Sequence, residues 1–319
     1  MKSRTTIQRL TVGDRIDGLE ILGIAGEGGI ARAYRVQVSE GPSILKLAKR
    51  TLPDAYGEAT VAERFAQAVA FHTGGMGPGQ LSANDLLERE AMLVRGLQDP
   101  IFPVMRAAGR IGDRAYVLYE DLGDDHLRAR FDRREGVPAV WMLRLASELT
   151  GRHVDGRLPF HGDLKPEHIF FDGSGGVRLI DPACAAAEGR PPGSRSLLTT
   201  PAYNPYLQAD DRTAFALVWL EALVGETLLG EVPQRERASF GPSFRKWLEL
   251  MESGARGRYV RLLTRLPAVS VLQARVPHAL LVCLLRGLGL QMDEDGALDL
   301  VAGYPGWSDF LGALERAAT

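Results

Sequence analysis

LPFHGDLKPEHIFFDGSGGVRLIDPAC, residues Leu158 to Cys184, gathers most of the chain's chemically capable side chains between two short apolar runs. His161, Asp163, Lys165 and His168 lie in a polar segment that opens into Ile169-Phe170-Phe171, a run of strand character. Asp172-Gly173-Ser174-Gly175-Gly176 offers residues that tolerate positive φ in a tight turn, and Val177-Arg178-Leu179-Ile180 reads as the returning strand. Such a hairpin carries Asp181 back beside the loop from Asp163 to His168. Two carboxylates, an amine and an imidazole then share one small volume, which points to catalysis.

The order and spacing of these residues resemble a known loop. His161-Gly162-Asp163-Leu164-Lys165-Pro166-Glu167-His168 resembles the catalytic loop of eukaryotic-type protein kinases, H-R-D-L-K-P-E-N, and Asp181-Pro182-Ala183 falls where those enzymes carry D-F-G. Gly162 replaces the arginine, His168 the metal-binding asparagine, and Pro182-Ala183 the Phe-Gly. The Asp-Pro-Ala-Cys wording is similar to that of sugar-amine and aminoglycoside kinases, and the histidine to that of lipopolysaccharide-core kinases. A second match lies downstream. Thr199-Thr200-Pro201-Ala202-Tyr203-Asn204-Pro205-Tyr206 resembles the end of a protein-kinase activation segment, with Tyr206 in place of its glutamate, and Asp211 to Gly225, DRTAFALVWLEALVG, resembles the central helix of the large lobe. Asp211 would be the acid that braces the catalytic loop. The resemblance implies an α+β, two-lobed protein kinase-like fold. A small β-rich N-lobe would occupy residues 1–122, with an insertion at about 51–84, and a large helical C-lobe residues 123–319.

Bulk properties agree with a soluble enzyme. A chain of 319 residues can bury a substantial core without a partner. A net charge of −2, with 24% charged and 45% hydrophobic residues, creates no field favouring nucleic acid or an anionic membrane. Neither is expected as a partner. Cys184 and Cys283 are the only cysteines and show no C-x-x-C spacing, which speaks against a disulfide framework or zinc ribbon. Met1 to Thr6 precede no apolar leader, and the longest apolar run, Ala279 to Leu285, is short and ends at Arg286, so a cytoplasmic location is expected.

Towards the N-terminus, Thr11 to Val36 reads as strand, glycine turn, strand around Gly26-Glu27-Gly28-Gly29-Ile30-Ala31. Glycines let backbone N–H groups approach phosphate oxygens closely. By resemblance Gly26, Gly28, Gly29 and Ala31 form the loop over ATP, with Ala31 in place of a third glycine. Ser43-Ile44-Leu45-Lys46-Leu47-Ala48 surrounds one lysine with apolar residues and resembles V-A-I-K. Lysine is ordinarily exposed; these neighbours argue for a buried ammonium, which needs anionic partners. Residues 51–84 carry a possible helix over Glu58 to Phe71. Ser82 or Asn84 can cap a helix reaching about Leu97, with Leu86, Leu87, Ala91, Val94 and Leu97 on its apolar face. Glu90 is the best match to the lysine-pairing glutamate, with Glu88 as fallback. Ile101 to Val104 and Arg114 to Tyr119 read as strands around a Gly112-Asp113 turn. Glu120-Asp121-Leu122-Gly123 would be the hinge, where Glu120 and Leu122 meet adenine through the backbone and Tyr119 sits behind the base.

After the hinge, Val137 to Val154 places Trp141, Leu145 and Leu149 on one helix face, with His153 structural or exposed. Ala185 to Leu198 reads as loop. Phe244 to Met251, Arg258 to Leu266, Val276 to Leu288 and Trp307 to Ala317 show helical patterns without motifs. The resemblance implies that Lys46 grips ATP phosphates, Glu90 orients it, Asp163 and Lys165 are catalytic, and His168 and Asp181 hold the metal. Magnesium prefers oxygen and imidazole suits softer ions, so the cofactors are ATP with magnesium or manganese. The acceptor would be a serine or threonine hydroxyl of a protein substrate. Loss of the arginine at Gly162 weakens control through phosphorylation of Ser194, Ser196, Thr199 or Thr200. A catalytically impaired nucleotide-binding module and a small-molecule kinase are the alternatives. An iron site from His161, Asp163 and His168 would leave Lys46, the glycine loop and the Asp211 helix without a purpose.

Overall fold

The computed structural model describes residues 10–28, 30–49, 82–158, 160–182, 203, 211–225, 268–296 and 298–318. The expected helices over 58–71, 244–251 and 258–266 and the loop 185–198 lie outside these residues, as do Gly29, Ala183, Cys184 and all of 199–206 except Tyr203. The chain divides into two compact units, Met1–Leu122 and Gly123–Thr319.

The first unit is a six-stranded antiparallel sheet with one helix. Its strands are β1 (Arg15–Ile16), β2 (Leu19–Glu27), β3 (Ala31–Val38), β4 (Gly41–Ala48), β5 (Met105–Ile111) and β6 (Arg114–Glu120), in the order β1-β2-β3-β4-β6-β5. Alternation in β3 and β4 sends Tyr34, Val36, Leu45 and Leu47 to one face, where they form a core with Ile16, Ile21 and Leu118. Each such side chain contributes roughly 1.5–3 kcal/mol on burial. Lys46, between Leu45 and Leu47, is thereby turned to the opposite face, the one that meets helix α1 (Ala83–Leu97).

Ser82 starts α1 with a reciprocal capping box. Its hydroxyl accepts from the Asp85 amide at 3.2 Å, and the Asp85 carboxylate accepts from the Ser82 amide at 2.7 Å. Asn84 does other work: its side chain accepts from the Ala115 amide at 2.7 Å and donates to the Asp113 carbonyl at 2.9 Å, pinning the β5–β6 hairpin to the helix. One strand assignment needs correction. Ile101 to Val104 is not a strand; the run turns after the helix, with the Phe102 amide on the Asp99 carbonyl at 3.0 Å and the Ile101 amide on Asp99 Oδ1 at 3.0 Å. Pro100 directs that turn. Ile101 and Phe102 are buried because they plug it, and pairing begins only at Met105.

The second unit is mainly helical. It contains α2 (Leu127–Asp132), α3 (Ala139–Val154), the hairpin β7 (Ile169–Phe171) with β8 (Val177–Leu179), α4 (Arg212–Val224), α5 (Ala268–Arg275), α6 (His278–Gly287), the hairpin β9 (Leu290–Met292) with β10 (Leu298–Leu300), and α7 (Trp307–Ala318). Helix α4 is apolar almost all round, with Ala214 to Ala222 buried throughout, as a helix at the centre of a unit must be. Phe215 anchors it edge-on to Trp219, Trp307 and Phe310, with ring centroids 5.7–5.9 Å apart. The pattern over 276–288 resolves into a helix starting at His278 with Pro277 as its cap, since proline at a helix start sacrifices no hydrogen bond. The β9–β10 hairpin, turning at Asp293 to Gly296, is an addition to the elements expected from the sequence. No helix among the described residues is long and apolar enough to cross a membrane.

The β7–β8 hairpin depends on Gly175. Its φ is +78°, and a Cβ there would meet the Trp141 ring at 2.5 Å. Trp141 packs against Phe171 on one side, with the Arg130 guanidinium 5.0 Å from its ring centroid. Gly175→Ala is expected to destabilise the protein by about 1–3 kcal/mol through combined backbone strain and overpacking. Chemical denaturation would show it.

Candidate functional site

In the first unit the Lys46 ammonium lies 2.6 and 2.8 Å from the two carboxylate oxygens of Glu90. The residues are 9% and 5% exposed, so this is a buried, two-pronged ion pair rather than a surface contact. Tyr119 donates its hydroxyl to Glu90 Oε1 at 3.1 Å. Glu88 instead pairs with exposed Arg110 at 2.7 Å, which leaves it no part in the buried pair. Helical spacing explains the division: two residues apart, Glu88 and Glu90 point to different sides of α1.

The glycine turn joins β2 to β3. The Gly28 amide donates to the Ala31 carbonyl at 3.0 Å, and Glu27 is held by Arg32 and buried Lys49, each at 3.1 Å. Gly29 lies outside the described residues. A Cβ on Gly26 would meet nothing within 4 Å, a Cβ on Gly28 would make only an ordinary 3.6 Å contact, and neither residue has positive φ. Among the described residues, neither packing nor conformation requires glycine at these positions. At the other end, the Glu120 and Asp121 amides donate to Val104 and Pro42 carbonyls, and the Glu120 carboxylate accepts from the Val104 amide at 2.9 Å. Leu122 is half-buried.

In the second unit the polar loop after α3 hangs on one carboxylate. Asp211, just ahead of α4 and 2% exposed, accepts from the Gly162 amide at 2.8 Å and from the His161 amide. His153 Nε2 lies 3.4 Å from the same carboxylate, with its ring stacked on Trp307. Burial alone would push the Asp211 carboxyl up; the nearby His153 ring and the loop amides outweigh it and hold the group below the usual carboxylate range. Gly162 has φ +88°, the left-handed conformation that lets two successive amides face one acceptor. His161 is fully buried and spans the loop, with Nε2 2.9 Å from the Ile180 carbonyl and Nδ1 accepting from the Asp163 amide at 3.3 Å.

Asp163, Lys165, His168 and Asp181 converge here. Lys165 donates to Asp163 Oδ2 at 2.9 Å. His168 Nδ1 lies 2.9 Å from the Asp163 carbonyl oxygen, and its Nε2 lies 3.6 Å from Asp181 Oδ2. The β7–β8 hairpin delivers Asp181, whose own φ of 58° is left-handed and turns its carboxylate towards the loop. Burial, reinforced by the Lys165 charge, lowers the His168 pKa to about 4, so its imidazole is neutral at physiological pH.

No family model matches the chain, and no curated protein matches it. Solved structures do. The PknI kinase domain of Mycobacterium tuberculosis superposes with a TM-score of 0.53 at 16% identity, over 97% of this chain and 99% of that one. Rad53 1–466 in complex with AMP-PNP superposes at 0.56 and 13%, over 94% of this chain and 65% of that one, and PpkA-294 in its apo form at 0.51 and 16%, over 98% and 99%. The chain has the protein kinase fold. At these identities the likeness reaches the α+β kinase architecture, and the chemistry rests on the residues themselves.

Several contacts near the site in this kinase fold go beyond what the motifs foretold. The resemblance puts Tyr119 behind the base, yet its hydroxyl is bonded to Glu90. Arg128 of α2 donates to Glu167 at 3.0 Å and to the Tyr203 hydroxyl, which donates in turn to fully buried Glu221 at 2.8 Å. Burial and the Glu221 charge push the Tyr203 phenol pKa up, so it remains a donor. Glu167, Tyr203 and Glu221 lie in stretches that the sequence already marks, and Glu221 is a residue type that is buried only when paired; Arg128 carries no such mark.

Proposed function

We propose that the chain is an ATP-dependent phosphotransferase that moves the γ-phosphoryl group to a serine or threonine hydroxyl of a protein substrate. The observation that carries this reading is the Asp163–Lys165 pair, 2.9 Å apart, on a loop whose backbone is clamped by Asp211. Asp163 can accept the proton of an attacking hydroxyl, while Lys165 offsets negative charge gathering on the transferred group. Met1–Leu122 is read as the N-lobe and Gly123–Thr319 as the C-lobe. In the N-lobe Lys46, oriented by Glu90, binds ATP phosphates. Gly26 and Gly28, which the fold itself does not demand, fit a loop whose backbone must approach those phosphates closely. The hinge from Glu120 to Leu122 would receive the base.

The metal expected of such chemistry would be held by Asp181 and His168. Among the described residues no group of three or more histidine, cysteine or acidic side chains encloses an ion. Phosphate oxygens and water would complete the shell, which suits a metal that arrives with its nucleotide. Bound there, a divalent ion would supply charge neutralisation between phosphate oxygens. The near-neutral charge and lack of a cysteine framework fit a cytoplasmic setting.

The test is label transfer from γ-labelled ATP to the protein itself and to a generic basic protein, beside Asp163→Ala. Transfer is expected with wild type and should fall by about 10²–10⁴-fold in the variant. Binding of ATP without transfer in wild type would refute catalysis and leave a nucleotide-binding module.

A further inference from the structure

Glu27 stands between Gly26 and Gly28, and its side chain ties their turn down. Its Oε1 lies 3.1 Å from Lys49 Nζ and 3.1 Å from Arg32 Nε. The Lys49 side chain is only 2% exposed, so this end of the tie is anchored in the body of the unit. Lys49 also holds the turn through its backbone, since its amide donates to the Ile30 carbonyl at 2.9 Å. One residue thus grips the turn at Glu27 by side chain and at Ile30 by main chain. Lys49 directly follows β4, the strand that carries Lys46, so the grip fixes the turn relative to Lys46. Glycine has the most backbone freedom to lose on ordering, and a turn built on Gly26 and Gly28 gains most from such a tie.

The tie lies on the face of the sheet away from Lys46. Ala33 is the cross-strand partner of Lys46, and Arg32 alternates with it, which sends Arg32 with Tyr34 to the side of the apolar core. Glu27 is the partner of Arg32 and projects to the same side. Desolvation would raise the Glu27 carboxyl; Lys49 and Arg32 outweigh it and lower the group, so it stays ionised. A carboxylate placed there holds the turn without presenting its charge on the Lys46 face. We infer that Lys49, acting through Glu27, is a positioning residue that keeps the glycine turn in the conformation able to receive a nucleotide's phosphates. This rests on the nucleotide-binding part of the reading above, and adds to it a residue that acts through the turn rather than on the ligand. A turn competent in only about one-tenth of molecules weakens apparent affinity about tenfold, because binding must draw on that fraction. Only a ligand that carries phosphates feels the loss.

The deciding measurement is titration calorimetry of the full chain with ATP and with adenosine, in wild type, Lys49→Met, Lys49→Arg and Glu27→Gln. Lys49→Met is expected to weaken ATP binding about tenfold and to leave adenosine unchanged. Lys49→Arg keeps the charge and should regain most of the loss. Glu27→Gln should lose ATP affinity with the same selectivity; its side chain is 34% exposed, so it tests the tie even if loss of the buried ammonium unfolds the unit. Wild-type affinity for ATP in folded Lys49→Met and in Glu27→Gln overturns the inference. So does an equal loss of ATP and adenosine, which marks a general loosening of the fold. The selective loss in a protein whose wild type transfers no phosphate supports the inference while refuting phosphotransfer, and absence of ATP binding by wild type removes both.

Discussion

Asp211→Ala is expected to cost about 3–5 kcal/mol of stability and to abolish phosphoryl transfer together, because one carboxylate holds the loop that carries Asp163. Its two oxygens accept from consecutive amides, those of His161 and Gly162, in a site only 2% exposed. Removal leaves two buried donors unsatisfied, each worth about 1–3 kcal/mol, and deprives His153 of a charged neighbour. Asp211→Asn should lose less, since one oxygen remains, though its amide must face a donor. Denaturant titration of wild type, Asn and Ala variants measures the order. The pH dependence has a definite sign. The folded pKa of Asp211 is depressed, so its stabilisation is fully present above the unfolded carboxylate value and is lost as pH falls through the folded one. Acid titration of Asp211→Asn should lack that component. An Ala variant as stable as wild type at neutral pH would show that the amides find other acceptors.

Lys46→Met should destabilise the first unit by about 3–5 kcal/mol, since it strands the Glu90 carboxylate in a site only 5% exposed. The Tyr119 hydroxyl, 3.1 Å from Glu90, cannot replace a charge. The double variant Lys46→Met with Glu90→Leu removes the buried ion altogether and should recover most of the loss, because an apolar pair of similar volume is often as stable as a buried ion pair. Neither variant should bind ATP. The thermodynamic cycle separates structure from function: stability returns in the double variant while nucleotide affinity, followed by calorimetry, does not. If the single substitution is neutral, the pair is not buried in solution.

Much of this is legible in the chain. The apolar neighbours of Lys46 already set it apart, because strand side chains alternate by rule and a lysine between Leu45 and Leu47 needs an anion if it is buried. The turn chemistry of Asp172 to Gly176 leads to the β7–β8 hairpin and to Asp181 returning beside His168. The capping signal at Ser82 marks the start of α1. Where sequence and structure part, a local pattern has two outcomes. The apolar run from Ile101 to Val104 suits a strand or a buried turn, and only the amides captured by Asp99 decide between them. The short hairpin from Leu290 to Leu300 is hidden by surrounding helical periodicity.

What the sequence determined by itself was therefore the inventory and its local geometry: which residues alternate, where turns fall, and which polar groups would need partners if buried. Tertiary structure decided the partners beyond those the resemblance implied. Tyr119 joins the Lys46–Glu90 pair, and Arg128, Glu167, Tyr203 and Glu221 form one network from four separate stretches. These contacts join residues between 18 and 75 positions apart. Spacing along a chain carries no information about which distant group arrives, because that is settled by how whole helices and sheets pack and by the burial that makes an unpaired charge intolerable.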